Sequence, residues 1–410
     1  MMSIFWKNVA LVLSGTALAQ TLPILGSLII ARQYAPAEFG VFAAWQGFVL
    51  FLAIVLTGRF ETALAIEPDC EPRRAAFIGT LVTAMMAAVS AAFILVLVVV
   101  TVPNIIVKVP TILIVLLIPT ALVVAVSQTW QSWAAAEGRY RVLSAIRIVE
   151  SSTITFFQIG FGFFDGSAVV LGSGFFFGEI VALTVAIRLM PPGSFYGMLD
   201  PNAIFRFWRS HYRFPLWSLP ADTINTAAAQ LPVLVVAGRF GTEISGLLAM
   251  AMRMLGAPLG LLGKSVLDVF KRQAATSFKE RGECRIDYLR TLKVLTLGSL
   301  VFCTVMYFVG EEFFILILGE DWRDVGTIAI WLLPLFALRF IASPLSYIVY
   351  IVGMQHIDLI WQIALFAMTL ACLTIPRSYD IALQSYSFGY SLLYIVMLIL
   401  TYRFCLGQRR

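Results

Sequence analysis

The sequence is a succession of apolar runs, each about 20 residues long and separated by short polar segments. A helix needs about 20 apolar residues to cross the hydrocarbon core of a bilayer. The 410-residue chain holds about twelve such runs. Its composition agrees, because 60% of the residues are hydrophobic and 13% are charged, whereas about a quarter of a soluble domain is charged. The sequence therefore predicts an all-α polytopic membrane protein.

The predicted helices form two sets of six. The first set lies near residues 8–31, 39–56, 75–101, 111–133, 142–163 and 168–189, and the second near residues 215–237, 244–263, 291–318, 325–352, 357–375 and 381–404. A polar, proline-containing segment separates the sets. We predict an N-terminal six-helix lobe over residues 1–190, a cytoplasmic linker over 191–214 and a C-terminal six-helix lobe over 215–410.

The two halves begin with similar segments, which indicates an internal repeat. Leu-Pro-Ile-Leu at residues 22–25 corresponds to Leu-Pro-Val-Leu at residues 231–234, about half the chain length later. Proline removes a backbone hydrogen bond, and broken helices at repeat-related positions are typical of transporter pathways. We predict broken helices with hinges at Pro23 and Pro232, in two pseudo-symmetric lobes. Kinks without a transport role are the alternative.

Positive charge is unevenly distributed among the predicted loops. Most of the 29 lysine and arginine residues fall on one side, including those of the basic stretch 264–293, which is predicted to be a loop. Cytoplasmic loops carry such an excess, so we expect both termini to be cytoplasmic. The same rule explains the net charge of +6, and we predict attraction to anionic lipid headgroups and no nucleic-acid partner.

The sequence lacks the patterns of a catalytic or metal site. Its five cysteines are scattered without a CxxC pair, and its histidines, His211 and His356, are far apart. It contains no glycine-rich phosphate loop and no recognisable nucleophile with its base. We expect no catalytic residue, no metal and no cofactor.

Ionisable residues inside the predicted helices are few, and such residues usually face a bundle interior or a water-filled cavity. Arg253 and Arg339 lie deepest. A guanidinium keeps its charge and binds phosphate bidentately, so either residue suits an anionic headgroup. For Arg253, a structural ion pair with Asp222 or Glu179 is the alternative.

Other polar residues also lie in or beside the predicted helices. Arg147 with Glu150, and Arg59 with Glu61, form either local ion pairs or parts of a pathway. The candidate cavity residues are Arg253, Arg339, Arg59, Arg147, Gln20 and Gln230, and the candidate coupling or ion-pair carboxylates are Glu61, Glu150, Glu179 and Asp222.

A series of short segments runs in order across nearly the whole chain. The segments are ARQYAPAEFG at 31–40, GRFE at 58–61, QLPVL at 230–234, RMLGAPL at 253–259, LGEDW at 318–322, SPLS at 343–346 and GMQ at 353–355. The set resembles the polysaccharide transporter family, the Wzx-type O-antigen and exopolysaccharide flippases of the multidrug/oligosaccharidyl-lipid/polysaccharide exporter superfamily.

The resemblance implies twelve helices in two lobes around a central cavity. It also implies a function, the translocation of a polyprenyl-pyrophosphate-linked oligosaccharide across the bacterial inner membrane by alternating access. The products would be surface polysaccharides, including lipopolysaccharide, and a polymerase and a chain-length regulator would be partners. Arg253 or Arg339 would neutralise the pyrophosphate.

Two other functions are the alternatives. A cation-coupled drug antiporter of the same superfamily needs a carboxylate, often in the first helix, and residues 1–37 contain no Asp or Glu. A membrane sugar polymerase or ligase would be expected to have a long outer loop with catalytic polar residues, and the predicted outer loops are short.

Overall fold

The computed structural model describes residues 21–64, 66–67, 71–101, 110–192 and 201–407, and in these ranges all regular elements are helices. The first unit contains α1 (residues 21–33), α2 (Pro36–Thr57), α3 (Phe60–Leu64), α4 (Glu71–Thr101), α5 (Thr111–Ala136), α6 (Tyr140–Gly162), α7 (Ala168–Leu189) and α8 (Pro201–Ser210). A π-helical turn, Phe214–Ser218, leads into α9 (Leu219–Phe240). The remaining helices are α10 (Thr242–Arg281), α11 (Arg285–Leu318), α12 (Arg323–Leu345), α13 (Ile348–Ile351), α14 (Gln355–Thr374) and α15 (Tyr379–Cys405).

The chain divides into two compact units, Met1–Gln230 and Leu231–Arg410, with the division inside α9. In the first unit, α7 packs against α2, α5 and α6. In the second unit, α12 packs against α10, α11 and α15. The predicted lobe limits at residues 190 and 215 remain a prediction.

In the part of the chain that the structure describes, nine helices are long and apolar enough to cross a membrane. They are Pro36–Thr57, Glu71–Thr101, Thr111–Ala136, Tyr140–Gly162, Ala168–Leu189, Arg285–Leu318, Glu320–Ile351, His356–Thr374 and Tyr379–Cys405. The all-α polytopic class is thereby confirmed. Most of the predicted first helix lies outside the described residues, so the number twelve remains a prediction.

The surfaces of α4 and α11 are strongly apolar. Phe93 and Val100 of α4 are each 72% exposed, and Phe308 and Leu316 of α11 are 77% and 75% exposed. In water such continuous apolar surface would be unstable, whereas hydrocarbon solvates it well. These two helices therefore present lipid-facing surfaces.

Glycines on α7 bring its backbone close to that of α6. A Cβ atom at Gly174 would lie 2.8 Å from the backbone nitrogen of Gln158, and a Cβ at Gly178 would meet the backbone of Ile154. The Thr153 hydroxyl also donates a 2.8 Å hydrogen bond to the Gly178 carbonyl. Small residues at helix contacts are typical of membrane proteins, and here they fix how α6 faces α7.

The predicted loop after residue 263 is wrong in its first part, because α10 continues as one 40-residue helix to Arg281. At about 1.5 Å per residue, α10 is about 60 Å long, about twice the thickness of the hydrocarbon core. A helix of this length is too long to lie wholly within the hydrocarbon core along the membrane normal. The helix ends at Gly282, whose φ of 72° is a left-handed conformation that glycine adopts without strain.

The predicted linker contains a helix of its own. In α8, Ile204 and Phe207 are buried, and the Phe207 ring lies 5.3 Å from that of Phe60 between centroids. The Trp208 indole donates a hydrogen bond to the Gly79 carbonyl of α4. This part of the linker packs as an element of the first unit.

The predicted broken helix at Pro232 is wrong, since α9 runs through this proline without interruption. The irregular backbone lies instead in the π-helical turn that precedes α9. Pro23 likewise lies inside residues 21–33, which are helical, and its carbonyl accepts a 2.6 Å hydrogen bond from the Ser27 hydroxyl. Hinge roles for both prolines remain predictions.

Candidate functional site

A cavity of about 280 Å³ lies between α10 and α12 in the second unit. Its α10 wall is built on glycines, whose missing side chains leave the space open. Its lining is Met252, Gly256, Leu259, Gly260, Gly263, Leu267, Phe336, Arg339, Phe340, Ser343 and Pro344. Arg339 is the charged residue of this largely apolar lining.

The Arg339 side chain is exposed, although it lies within a helix that can cross the membrane. It interacts electrostatically with the hydroxyls of Tyr386 and Tyr394 on α15. Tyr390 lies between these two, with ring centroids 4.8 Å from Tyr386 and 5.9 Å from Tyr394, and Thr369 donates a hydrogen bond to its hydroxyl. The described neighbours of Arg339 on α15 are thus tyrosine hydroxyls and not carboxylates.

Arg253 does not line the cavity. The residue before it on α10, Met252, does. The neighbouring Ala251 and Leu255 are fully buried. Asp222, one of the predicted alternative partners of Arg253, lies with its carboxylate 2.7 Å from Nε of Arg59. The structure thus places Arg339, and not Arg253, in the wall of this cavity.

The first unit contains a polar cluster, defined here as Ser127, Gln131, Arg147, Glu150 and Glu179 of α5, α6 and α7. The Gln131 amide donates a 2.6 Å hydrogen bond to Oε2 of Glu150 and accepts one of 3.3 Å from Nε of Arg147. Arg147 attracts Glu150, Glu150 repels Glu179, and Glu179 accepts a hydrogen bond from Ser127. The predicted pair of Arg147 and Glu150 is therefore bridged by a glutamine that sequence reasoning missed.

Arg59 forms ion pairs with two carboxylates. Its Nη1 lies 2.7 Å from Oε1 of Glu61, and its Nε lies 2.7 Å from Oδ2 of Asp222 at the start of α9. Arg59 has a left-handed backbone, with φ of 63°, directly after Gly58 at φ of 57°. This turn between α2 and α3 holds the Arg59 guanidinium between two carboxylates, which already balance its charge.

The structure describes one of the two predicted glutamines, Gln230. Gln230 packs against α2, because a Cβ atom at Gly47 would lie 3.4 Å from its side chain. Gln20 lies outside the described residues. Within the described ranges, no group of three or more His, Cys, Asp or Glu side chains is placed to hold a metal ion.

Several solved structures of membrane proteins have a fold similar to that of this chain. The lipid II flippase MurJ, in an inward closed conformation, is similar with a TM-score of 0.73 at 12% identity, over 96% of this chain and 87% of that chain. An inward-facing multidrug resistance transporter of the MATE family, in the MOP superfamily, gives 0.60 at 11% identity over 93% of each chain. The MATE multidrug transporter DinF-BH gives 0.60 at 13% identity, over 99% of this chain and 97% of that chain.

Residues 29–327 match the family described as polysaccharide biosynthesis protein, and the chain belongs to this family. No curated protein matches the chain. The chain thus combines a polysaccharide biosynthesis family with a fold that the lipid II flippase MurJ and MATE transporters also have.

Proposed function

We propose that this protein is a flippase that moves a polyprenyl-pyrophosphate-linked oligosaccharide across the bacterial inner membrane by alternating access. Its product would supply a surface polysaccharide such as O-antigen, capsule or exopolysaccharide. The observation that carries the proposal is the position of Arg339. This cation lies in a helix that can cross the membrane, and it lines a cavity whose wall is otherwise largely apolar. Membership in a polysaccharide biosynthesis family and a fold shared with a lipid II flippase support it.

Pyrophosphate is a multiply charged anion, and hydrocarbon excludes it. The Arg339 guanidinium has a planar array of donors that can bind phosphate oxygens bidentately. A volume of about 280 Å³ lies just below the range of ligand pockets, about 300–1,000 Å³. We therefore assign this cavity to the pyrophosphate group and not to the whole glycan.

The other predicted residues enter the proposal with different roles. Arg253, Gln20 and Gln230 are proposed to contact the substrate elsewhere along its path. Arg59 and Arg147 already face carboxylates, so we propose that they act on substrate only when those pairs open. A polysaccharide polymerase and a chain-length regulator are proposed partners, and both termini are proposed to be cytoplasmic.

The second candidate function is a cation-coupled drug antiporter. The MATE transporters with the same fold favour it. A lipophilic cation would be repelled by Arg339, whereas the pyrophosphate of a lipid-linked sugar would be attracted. Charge at the cavity wall therefore distinguishes the two candidates.

A binding measurement on the purified full chain in nanodiscs separates these functions. The probes are a polyprenyl-pyrophosphate-linked oligosaccharide, the same polyprenol and glycan without the pyrophosphate, and a lipophilic cation. We expect the pyrophosphate compound to bind at least about tenfold more tightly than its matched analogue, since charge-assisted hydrogen bonds contribute about 1.5–3 kcal/mol. Tighter binding of the cation would exclude the flippase proposal and favour the antiporter.

A further inference from the structure

On the basis of the proposed function, we infer that a groove beside the Arg339 cavity binds an anionic sugar of the transported glycan, a uronic acid or a sugar phosphate. The groove has a volume of about 570 Å³ and lies between the end of α10 and the segment that runs from Tyr347 through α13. Its described lining is Lys271, Ala275, Phe278, Lys279, Tyr347, Tyr350 and Ile351.

The groove continues the cavity along the same pair of helices. Gly263 and Phe340 line the cavity together, and a Cβ atom at Gly263 would lie 3.5 Å from the Phe340 ring. About two turns further along α10, the Lys271 ammonium lies 4.6 Å from the centroid of the Tyr347 ring. Lys271 follows Gly263 by about 12 Å along the helix, which is more than the length of one sugar ring. A glycan whose pyrophosphate lies at Arg339 can therefore bring a sugar beyond its first one to the groove.

The groove is cationic in its described lining. Lys271 and Lys279 are charged, and the described lining contains no carboxylate. Neither lysine forms an ion pair with a carboxylate that the structure describes, whereas Arg281 in the last turn of α10 pairs with Asp287 at 3.7 Å. A cleft lined by one sign of charge concentrates ligands of the opposite sign. The ligand that fits this groove is therefore an anion.

Aromatic rings provide the apolar part of the groove. The rings of Tyr347 and Tyr350 lie 5.5 Å apart between centroids, at an angle of 34°. The Tyr350 hydroxyl donates a 2.9 Å hydrogen bond to Oδ2 of Asp358, which lies outside the described lining. A sugar ring has an apolar face of C–H groups and a polar rim, and ligand pockets combine aromatic surface with a few polar groups. The volume lies within their range of about 300–1,000 Å³, so the groove has room for sugar rings.

Structural roles for the two lysines are the alternative. The contact of Lys271 with Tyr347 ties the end of α10 to the segment after α12. Lys279 lies in the last turn of α10, where a positive charge interacts favourably with the helix dipole. The Tyr347 ring is neutral, so it does not cancel the charge of the Lys271 ammonium. These roles predict no preference among glycans, whereas an anionic-sugar site does.

The test measures the binding of two lipid-linked glycans to the full chain in nanodiscs of zwitterionic lipid. Both are polyprenyl-pyrophosphate-linked trisaccharides, alike except that the second sugar is glucuronate in one and glucose in the other. The proteins are the wild type, the double variant Lys271→Gln with Lys279→Gln, Arg339→Ala, and the control Lys293→Gln, which changes a lysine of α11 outside the described lining.

We expect the wild type to bind the glucuronate compound at least about tenfold more tightly than the glucose compound. The double variant should lose this ratio. Lys293→Gln should keep it, and so should Arg339→Ala, although its affinity for both compounds should fall. The ratio thus separates the groove from the pyrophosphate site.

Equal affinities of the wild type for the two glycans would overturn the inference, whether or not the double variant folds. The proposed function would still stand if both glycans bound more tightly than their analogues without pyrophosphate. A preference that the folded double variant retains would also overturn the inference. A preference that phosphatidylglycerol in the bilayer abolishes would assign the groove to lipid headgroups and overturn its assignment to the glycan.

Discussion

Replacing Arg339 with alanine is expected to weaken the binding of a polyprenyl-pyrophosphate-linked oligosaccharide by about 10- to 100-fold. The variant removes the charged residue from the cavity wall between α10 and α12. The lost charge-assisted hydrogen bonds are worth about 1.5–3 kcal/mol, and each 1.4 kcal/mol is about a factor of ten in affinity. Titration of the nanodisc-embedded protein measures the change.

Two further variants show whether the effect belongs to this guanidinium. Arg339→Lys keeps the charge but loses the planar pair of donors, so its affinity should fall between wild type and alanine. Arg323→Ala is the control, because Arg323 is exposed at the first residue of α12, does not line the cavity and pairs with Glu320 at 2.9 Å. Equal affinities for wild type and Arg339→Ala would remove Arg339 from the substrate path.

Replacing Gly178 with alanine is expected to destabilise the first unit by about 1–3 kcal/mol, as overpacking does in protein cores. The new Cβ would meet the backbone of Ile154 on α6. A backbone cannot rotate aside as a side chain can, so α6 and α7 would have to separate. The thermal unfolding midpoint of the purified protein, together with the yield of folded protein, measures the loss.

Gly160→Ala provides the matched control for this prediction. Gly160 also lies within a helix of the pair, α6, and a Cβ atom there would have no neighbour within 4 Å. Alanine favours helix over glycine by about 1 kcal/mol, so this variant should be as stable as the wild type or more stable. A Gly178→Ala protein with the wild-type midpoint would show that the close contact of α6 and α7 does not exist.

The helices that cross the membrane could be predicted because their signal is local. The predicted helix at residues 168–189 is α7, Ala168–Leu189, and the one at 111–133 begins with α5 at Thr111. A long apolar run bounded by polar residues needs no information from the rest of the chain. The same signal fails where a helix continues past its apolar run, as α10 does after residue 263.

The end of α10 did carry a sequence signal. Lys279 and Arg281 lie in its last turn, and Gly282 follows, which is a typical helix stop. The basic charge of residues 264–281 favoured a loop in our prediction because charge was used to assign sides of the membrane. At Pro232, the prediction overstated the effect of one lost hydrogen bond, which membrane helices tolerate.

The polar cluster was only partly predictable for a different reason. Arg147, Glu150 and Glu179 were recognisable because charge is rare inside apolar helices. Ser127 and Gln131 are ordinary polar residues, and their role depends on how α5 packs beside α6 and α7. Likewise, Arg253 and Arg339 were both recognisable as charges inside apolar runs, but which of them lines the cavity depended on how α10 and α12 pack.

Translocation in proteoliposomes tests the central claim most directly. The full chain is reconstituted with a polyprenyl-pyrophosphate-linked oligosaccharide, and the fraction of the glycan accessible from one leaflet is followed over time, beside liposomes without protein and liposomes with Arg339→Ala. We predict that wild-type protein exchanges the glycan between leaflets, whereas Arg339→Ala resembles empty liposomes. Equal rates with wild-type protein and without protein would contradict the assignment of this chain as a flippase.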